Sequence, residues 1–374
     1  MEVYQPPKGW SGEWSAVRPE TVEALAEALA EAREGGSRLW PVGGGRHGRR
    51  RPDGAVTVLD MRGQDAIRRL DRESLVVTVE AGVTVGALAA HLRERGASLC
   101  GWRREHPEAT IGGLLSAWQP TPHGLWNGSA REACLGLSAI AGSGHRYRYL
   151  PAPRKASGPD LRFVFMGGEG VYGVVTAATL SVSPAPEAQA AWEVSGVAPE
   201  VALRLAAATT RAGLRAANVL FSGAGRAMRW CFEGDEGLVE RWTRVLETEA
   251  ARVGVEVQAI DPGAYYDPAA GDVRAGADPV TGRGECEAGG VAIWGDLVGL
   301  ARVPEVLWAS GVLYDLSAHH GALWVPREVA RAEGVEASRV WWGEASQGGW
   351  SGLGALKASL DPAGVLPEAM EGGA

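Results

Sequence analysis

Three consecutive glycines in the segment PVGGGRHG, residues 41–48, constrain the fold of this chain more than any other feature. Gly43, Gly44 and Gly45 clear side chains from a short stretch of backbone, so several N–H groups can converge on one anion. The segments RRRPDG and VTVLDM come next, and the second is typical of a strand. Because no helix follows the glycines, the loop differs from P-loop and Rossmann loops, which open a helix. It predicts a diphosphate cradle between two strands, although a plain tight turn explains the glycines about as well.

The length and net charge of the chain limit the number of domains and the kinds of partner that we expect. A chain of 374 residues exceeds what one compact core usually holds, so we expect two domains or one elaborated domain. The net charge is -8, and the only basic cluster, RHGRRR, adjoins the glycine loop, so nucleic acid is not an expected partner. No uncharged apolar stretch reaches about 18 residues, and the N-terminus lacks a signal-peptide pattern. These features predict a cytoplasmic protein with no integral membrane segment.

The cysteine pattern excludes several kinds of site. Cys100, Cys134, Cys231 and Cys286 are scattered, with no C-x-x-C pair. This spacing argues against structural zinc, iron–sulfur ligation and a disulfide framework, and it favours buried thiols. No H-x-H or H-E-x-x-H pattern is present either, so the sequence predicts no metal site.

The first half of the chain alternates between helical and strand-like patterns. PETVEALAEALAEAREGG, residues 19–36, predicts a helix with Pro19 in its first turn and a glycine at its end. LVVTVEAG predicts a strand, and the following segment predicts a helix that ends at Gly96. Two further glycine-rich backbones follow, in HPEATIGG at 106–113 and GGEGVYG at 167–173. Separate glycine-rich turns of this kind could grip one extended ligand from both sides.

These motifs, taken in order, resemble a known family. PVGGGRHG, VTVEAGVTVGAL, ATIGG, AREACLGL and GGEGVYGVVTAATLSVSPAP are similar to the motifs of the PCMH-type FAD-binding fold shared by vanillyl-alcohol oxidase, D-lactate dehydrogenase and glycolate oxidase. The ending GALKASLDPAGVLPEAM is similar to the closing helix and D-P-x-G turn of that family. Within the family, the chain most resembles the FAD-binding subunit of bacterial glycolate oxidase.

The resemblance implies an α+β fold with FAD as the cofactor. It places a PCMH-type FAD-binding domain of two α/β subdomains at residues 1–185, a cap domain at 186–345, and a C-terminal segment, 346–374, that returns to the FAD domain. The residues implied to bind FAD are Pro41, Val42, Gly43, Gly44, Gly45, Arg46, His47, Gly48, Thr110, Gly112, Gly113, Gly170, Gly173, Val174 and Val175. Arg46 and His47 replace the Thr and Gly that are common in the family. A guanidinium could pair with a phosphate there, or the two side chains could crowd it.

The second half predicts a separate module. The order of patterns from 192 to 260 is β-α-β-β-α-β, which is the ferredoxin-like arrangement. In the resembled family this layout forms a cap over the flavin ring. The tract at 266–290 contains little apolar material and predicts a long loop or a partly disordered segment.

Catalytic residues carry the weakest signal. Oxidation of a 2-hydroxy acid needs a base near the substrate hydroxyl, while the flavin accepts the hydride. His319 and His320 are the best candidates for this base, although the pattern favours a polar strand end without a catalytic role. The resemblance implies an FAD-binding subunit of a glycolate oxidase-like complex, with a larger flavin subunit and an iron–sulfur subunit as partners through which it could meet a membrane. A self-sufficient FAD dehydrogenase of a small hydroxy acid or sugar lactone, and a non-catalytic subunit with a degenerate FAD site, remain alternatives.

Overall fold

A computed structural model describes most of the first two thirds of the chain and shorter segments beyond it. The described residues are 13–45, 54–99, 107–117, 130–152, 160–222, 227–262, 290–296, 312–314, 320–326, 339–342 and 353–367.

Helices and strands alternate through these residues. The helices are α1 (Val22–Gly35), α2 (Val85–Arg93), α3 (Ile111–Ala117), α4 (Ala130–Ala133), α5 (Arg162–Phe165), α6 (Pro199–Arg211), α7 (Glu236–Val253) and α8 (Leu353–Leu360). The strands are β1 (Trp14–Val17), β2 (Leu39–Val42), β3 (Val56–Asp60), β4 (Ile67–Asp71), β5 (Val76–Glu80), β6 (Ala97–Leu99), β7 (Cys134–Ile140), β8 (Arg146–Tyr149), β9 (Val174–Pro184), β10 (Ala188–Val194), β11 (Asn218–Ser222), β12 (Ala227–Gly234), β13 (Gln258–Ile260), β14 (Gly290–Asp296), β15 (Val312–Tyr314), β16 (His320–Pro326) and β17 (Arg339–Trp342).

The chain divides into two compact units. The first comprises Met1–Gln119, Ala130–Pro184 and Gly349–Gly373. The second comprises Ala185–Gly348 with the short piece Pro120–Ser129 and Ala374. Each unit has its own apolar core, in agreement with the size argument for more than one core.

A small parallel sheet and helix α1 form one part of the first unit. The strand order is β1-β3-β2, and Leu25 and Leu29 of α1 are fully buried in the adjoining core. The predicted helix is present, but it begins at Val22, not near Pro19. Thr21 sets this start, because its Oγ1 accepts a hydrogen bond from Ala24 N (3.0 Å) and caps the helix. Gly36 ends the helix in the left-handed conformation, at φ 63°.

A larger sheet forms the other part of the first unit. Its strands run in the order β4-β5-β9-β7-β8, all antiparallel, and β6 pairs with the far end of β9. Helix α2 packs its Leu88 and Leu92 into the core beneath this sheet, as the periodicity predicts, and Gly96 follows the helix at φ 67°. The two sheets and their helices give the expected pair of α/β subdomains.

The second unit contains the predicted ferredoxin-like module. The strands are ordered β13-β10-β12-β11 and all neighbours are antiparallel, which corresponds to the order 4-1-3-2 of a β-α-β-β-α-β unit. Trp242 and Leu246 of α7 pack against Trp230 and Phe232 of β12 in one core. The α+β fold class is confirmed.

The sheet of the second unit extends beyond the module. Strand β11 pairs with β15, and β16, β14 and β17 continue the sheet to eight strands within the described residues. Nearly all of the tract predicted as a loop at 266–290 lies outside the described residues, and Gly290 already opens β14.

Candidate functional site

The first glycine turn follows directly from strand β2. Residues 41–45 are half-buried, so part of their backbone reaches the surface. A Cβ built on Gly43 would overlap Thr110 Oγ1, and one built on Gly44 would overlap the carbonyl oxygen of Glu108. Only glycine therefore allows this turn to lie against the segment that precedes α3. Arg46, His47 and Gly48 lie outside the described residues.

The second glycine segment is held by hydrogen bonds within the protein. Ile111 N donates to Val83 O (2.9 Å) and Gly112 N donates to Ala81 O (2.8 Å). Gly113 N donates to Thr110 Oγ1 (3.2 Å), and Thr110 is 1% exposed. A Cβ on Gly112 would lie 2.7 Å from the Cβ of Ala81. The N–H groups of both glycines are thus used inside the protein, and the segment serves as a wall behind the first turn.

The third glycine turn contacts the other two. Gly167 N donates to Leu115 O (2.9 Å) and Glu169 N donates to Ser116 O (3.0 Å), so the turn is bonded to α3. Gly170 adopts φ 79° and lies against Pro41: a Cβ built on Gly170 would lie 3.4 Å from Pro41 Cγ. Glu169 also has a left-handed backbone, at φ 48°, which is uncommon for a residue with a side chain. The three turns predicted to grip one ligand are therefore neighbours in space.

Two residues predicted to line the site are part of the core. Val174 and Val175 open strand β9 and are 3% and 4% exposed. Successive strand residues face opposite ways, and the two side chains pack into different apolar clusters of the first unit. Their contribution in the structure is to fix the strand that follows the third turn.

The first turn has two hydrogen-bond donors without an acceptor in the part of the chain that the structure describes. Among the described residues, none accepts a hydrogen bond from the N–H of Gly43 or of Gly44. Backbone donors are rarely left unpaired unless water or a ligand accepts them. Two adjacent free donors on a half-buried, side-chain-free turn fit a phosphate oxygen, so the residues present are compatible with a dinucleotide.

An ion network that sequence reasoning missed supports the start of the first turn. Asp60 pairs with Val42 across the β2–β3 ladder, and its side chain is fully buried. Its Oδ2 accepts from Nη2 of Arg18 (2.6 Å) and Nη2 of Arg62 (2.7 Å). Burial alone would raise the pKa of Asp60, but the hydrogen bonds from Arg62 and Arg18 outweigh it and hold the pKa below its usual value. The only sequence signal was a single acid at the end of a buried strand.

A second ion pair includes Arg162, which lines a small pocket of the first unit together with Tyr149 and Leu161. Arg162 is buried, forms an ion pair with Asp160 (2.5 Å) and donates to the carbonyl oxygen of Cys134. Its guanidinium lies 5.0 Å from the ring centre of Tyr149. The hydrogen bond from Arg162 lowers the pKa of Asp160, so this carboxylate stays charged and paired. The arrangement braces β7 and β8 and offers no free acid or base.

The structure describes one of the two candidate catalytic histidines and the buried thiol of Cys134. His320 opens β16 and pairs with Asp296 in the ladder, whereas His319 lies outside the described residues. Burial raises the pKa of the Cys134 thiol to about 12, which keeps it protonated. Among the described residues, no group of three or more His, Cys, Asp or Glu side chains could hold a metal ion. In the same part of the chain, no helix is long and apolar enough to cross a membrane.

Comparison with known proteins identifies the cofactor. Residues 15–149 match the family model described as FAD binding domain, and this range includes the first two glycine segments. The cofactor indicated for this domain is FAD. The solved structure of alkyldihydroxyacetonephosphate synthase in P212121 matches with a TM-score of 0.73 at 14% identity, over 94% of this chain and 75% of that chain. At this identity the likeness concerns the fold, which is that of PCMH-type FAD-binding proteins.

Curated relatives match over part of the chain. The glycolate oxidase subunit GlcE of Escherichia coli (strain K12) is 33% identical over 132 residues, which is 35% of this chain and 38% of that protein. Alkyldihydroxyacetonephosphate synthase of Caenorhabditis elegans is 28% identical over 178 residues, which is 46% of this chain and 30% of that protein. The chain thus covers less than two fifths of either relative. A third relative, the uncharacterized FAD-linked oxidoreductase YgcU of Escherichia coli (strain K12), is 30% identical over 125 residues, which is 33% of this chain and 26% of that protein.

Proposed function

We propose that this chain is the FAD-binding subunit of a glycolate oxidase-like 2-hydroxy acid dehydrogenase. The observation that carries the proposal is that three glycine-rich turns of the first unit lie next to one another, and that no described residue accepts a hydrogen bond from Gly43 N or Gly44 N. The similarity to the glycolate oxidase subunit of E. coli supports the substrate class. A larger flavin subunit and an iron–sulfur subunit are the proposed partners.

The chain's own residues would bind and orient the cofactor. Gly43 and Gly44 would donate their N–H groups to the diphosphate, and Gly45 to Gly48 would complete the turn around it. Thr110, Gly112 and Gly113 would form the wall behind the diphosphate, and Gly170 would close the opposite side against Pro41. When bound, FAD supplies the hydride acceptor for oxidation of the substrate.

The second unit is the proposed cap domain. Its ferredoxin-like module and the strands that extend it would cover the reactive end of the flavin and exclude water. His319 and His320 are the proposed bases for the substrate hydroxyl, because imidazole can accept a proton near neutral pH. The proposed boundaries are residues 1–185 for the FAD domain, 186–345 for the cap and 346–374 for the returning segment.

The first experiment is flavin binding by the purified full chain. We expect flavin absorbance in the purified protein, or uptake of one equivalent of FAD by the apoprotein, followed by fluorescence titration. FMN is the matched control: it lacks the adenylate half of FAD, so it should bind more weakly to a site built around a diphosphate. ADP should compete with FAD. A chain that takes up no FAD contradicts the proposal.

A second candidate function is a self-sufficient FAD dehydrogenase. The structural match to alkyldihydroxyacetonephosphate synthase covers 94% of this chain, so it includes both units. This supports the second candidate, because an FAD domain and a cap are then present in a single polypeptide. The two candidates differ in one measurement. Bleaching of the bound flavin by a 2-hydroxy acid or a sugar lactone, without any other subunit, favours the self-sufficient enzyme. Bleaching only after partner subunits are added favours the subunit.

A further inference from the structure

The C-terminal segment carries a buried ion pair that no part of the proposed chemistry uses. Lys357 in α8 is 7% exposed, and its Nζ lies 2.5 Å from Oδ2 of Asp361, one helical turn later. Asp361 is 3% exposed, and its two carboxylate oxygens accept from Val365 N (3.1 Å) and Leu366 N (3.0 Å). The carboxylate therefore holds the D-P-x-G turn in one shape.

Lys357 also bonds directly to the third glycine turn. Its Nζ donates to Val171 O (2.9 Å), between Gly170 and Gly173, and to Leu366 O (3.3 Å). The ammonium group thus has three oxygen acceptors, which is its full donor capacity. A lysine is seldom buried to this extent unless it is paired. Its contact with Val171 joins segments that are 186 residues apart in sequence.

The same C-terminal segment is bonded to the strand that leads into the first glycine turn. Leu39 N at the start of β2 donates to Val365 O (2.6 Å). Val365 and Leu366 are buried in the core that contains Leu25 and Leu29 of α1. Residues 353–367 therefore contact both β2, which leads into the first turn, and the third turn, which lies against Pro41.

We infer that Lys357 is a positioning residue for the FAD site. This inference rests on the proposed FAD-binding function. Through Val171 and the D-P-x-G turn, Lys357 holds the third glycine turn against the first, so that both lie ready for one dinucleotide. FAD and the C-terminal segment both favour the arrangement in which the third glycine turn lies against the first. FAD binding and docking of the C-terminal segment are therefore thermodynamically coupled.

The experiment measures FAD affinity and lysine accessibility in the full chain. K357M keeps the length of the side chain but leaves Asp361 buried without a partner, which can unfold a protein. The double variant K357M/D361N removes both charges and keeps the test informative if K357M does not fold. E249Q/R252M is the control, because it removes the ion pair between Glu249 and Arg252 of helix α7, which belongs to the second unit and not to the proposed FAD site. We expect the double variant to raise the FAD Kd by about tenfold or more and the control to leave it within about twofold.

A labelling readout separates positioning from simple structural support. The chain has three lysines, Lys8, Lys155 and Lys357, so peptide mass spectrometry after a pulse of an amine reagent identifies Lys357 without ambiguity. We expect saturating FAD to slow labelling of Lys357 in the wild-type protein. FAD binding stabilises the whole folded state, so it would also slow labelling of a purely structural ion pair, but only as much as it slows alkylation of the buried Cys134 in the same unit. A positioning role predicts additional protection of Lys357.

The outcomes are distinguishable. Wild-type FAD binding overturns the inference and leaves the proposed function intact in two cases: when the Kd of the double variant is unchanged, or when FAD protects Lys357 no more than it protects Cys134. A wild-type chain that binds no FAD overturns both. Weaker FAD binding by the double variant, with protection of Lys357 by FAD beyond that of Cys134, supports the inference. Recovery of part of the affinity in K357R would strengthen it, because arginine keeps the charge.

Discussion

Replacing Gly173 by alanine should loosen the third glycine turn and weaken FAD binding. Gly173 directly precedes β9, and a Cβ at this position would lie 2.7 Å from Cε1 of Phe165 and 2.8 Å from the carbonyl oxygen of Ile140. Phe165 is 3% exposed and its ring packs against Tyr147, with 5.3 Å between ring centres, so the ring has little space in which to move. The carbonyl of Ile140 belongs to the β7–β9 ladder and is equally fixed.

The size of the effect follows from this overlap. Comfortable contact between non-bonded heavy atoms is about 3.5 Å, so the turn must move by roughly 0.7 Å away from Phe165 and Ile140. Overpacking of this kind costs about 1–3 kcal/mol. For a domain of this size each kcal/mol lowers the melting temperature by about 2–4 °C. Because the same turn lies against Pro41, we also expect the FAD Kd to rise by about tenfold.

A matched glycine provides the control for G173A. Gly35 ends helix α1, and a Cβ there would meet only Ser37 Oγ at 3.7 Å, which is ordinary contact. G35A should therefore leave FAD binding unchanged and keep or slightly raise the melting temperature, because alanine favours helix. Differential scanning fluorimetry with and without FAD, and a fluorescence titration, measure both effects. Equal melting temperatures and equal FAD affinities in G173A and wild type would refute the steric argument.

Two further predictions concern buried titratable groups of the first unit. D60N should lower the free energy of unfolding by about 3 kcal/mol, because Arg18 and Arg62 lose a buried charge partner. Since the pKa of Asp60 is lower in the folded state, this contribution to stability is present above pH 3.8 and is lost as the pH falls through the folded pKa. Urea titrations of D60N and wild type at several pH values test this. Equal free energies of unfolding for the two proteins at neutral pH would contradict it. Cys134, with its pKa raised to about 12, should resist iodoacetamide at pH 8 until the protein is unfolded in guanidinium; peptide mapping measures this, and rapid modification of Cys134 in the native protein would contradict the burial argument.

The sequence predicts those parts of the fold that depend on local patterns. Helix α1 and the ferredoxin-like module follow from apolar periodicity and turn residues, which act over short distances. The start of α1 differs from the prediction because Thr21 caps the helix: its hydrogen bond from Ala24 N makes Val22 the first helical residue and leaves Pro19 outside the helix. The resemblance of ordered motifs supplied the cofactor, which no single glycine motif could have done.

Long-range contacts could not be read from the sequence. The pairing of Asp60 with Arg18 joins residues 42 positions apart, and the bond from Lys357 to Val171 joins residues 186 apart. Lys357 did carry a faint signal, since it is one of three lysines in an arginine-rich chain and stands four residues before Asp361 on a helix. The close packing of Gly112 against Ala81 could not be predicted either, because the sequence does not show which other segment lies next to a glycine.

The continuation of the second sheet past β11 has a consequence for any attempt to dissect this protein. In a free-standing ferredoxin-like module β11 would be an outer strand, but here Phe221 and Ser222 are paired with Leu313 and Val312 of β15. A fragment that stops after β13 would uncover a row of backbone donors and acceptors on β11, and such an open strand recruits other chains. Soluble fragments of the second unit should therefore retain residues up to β17, and shorter ones should self-associate.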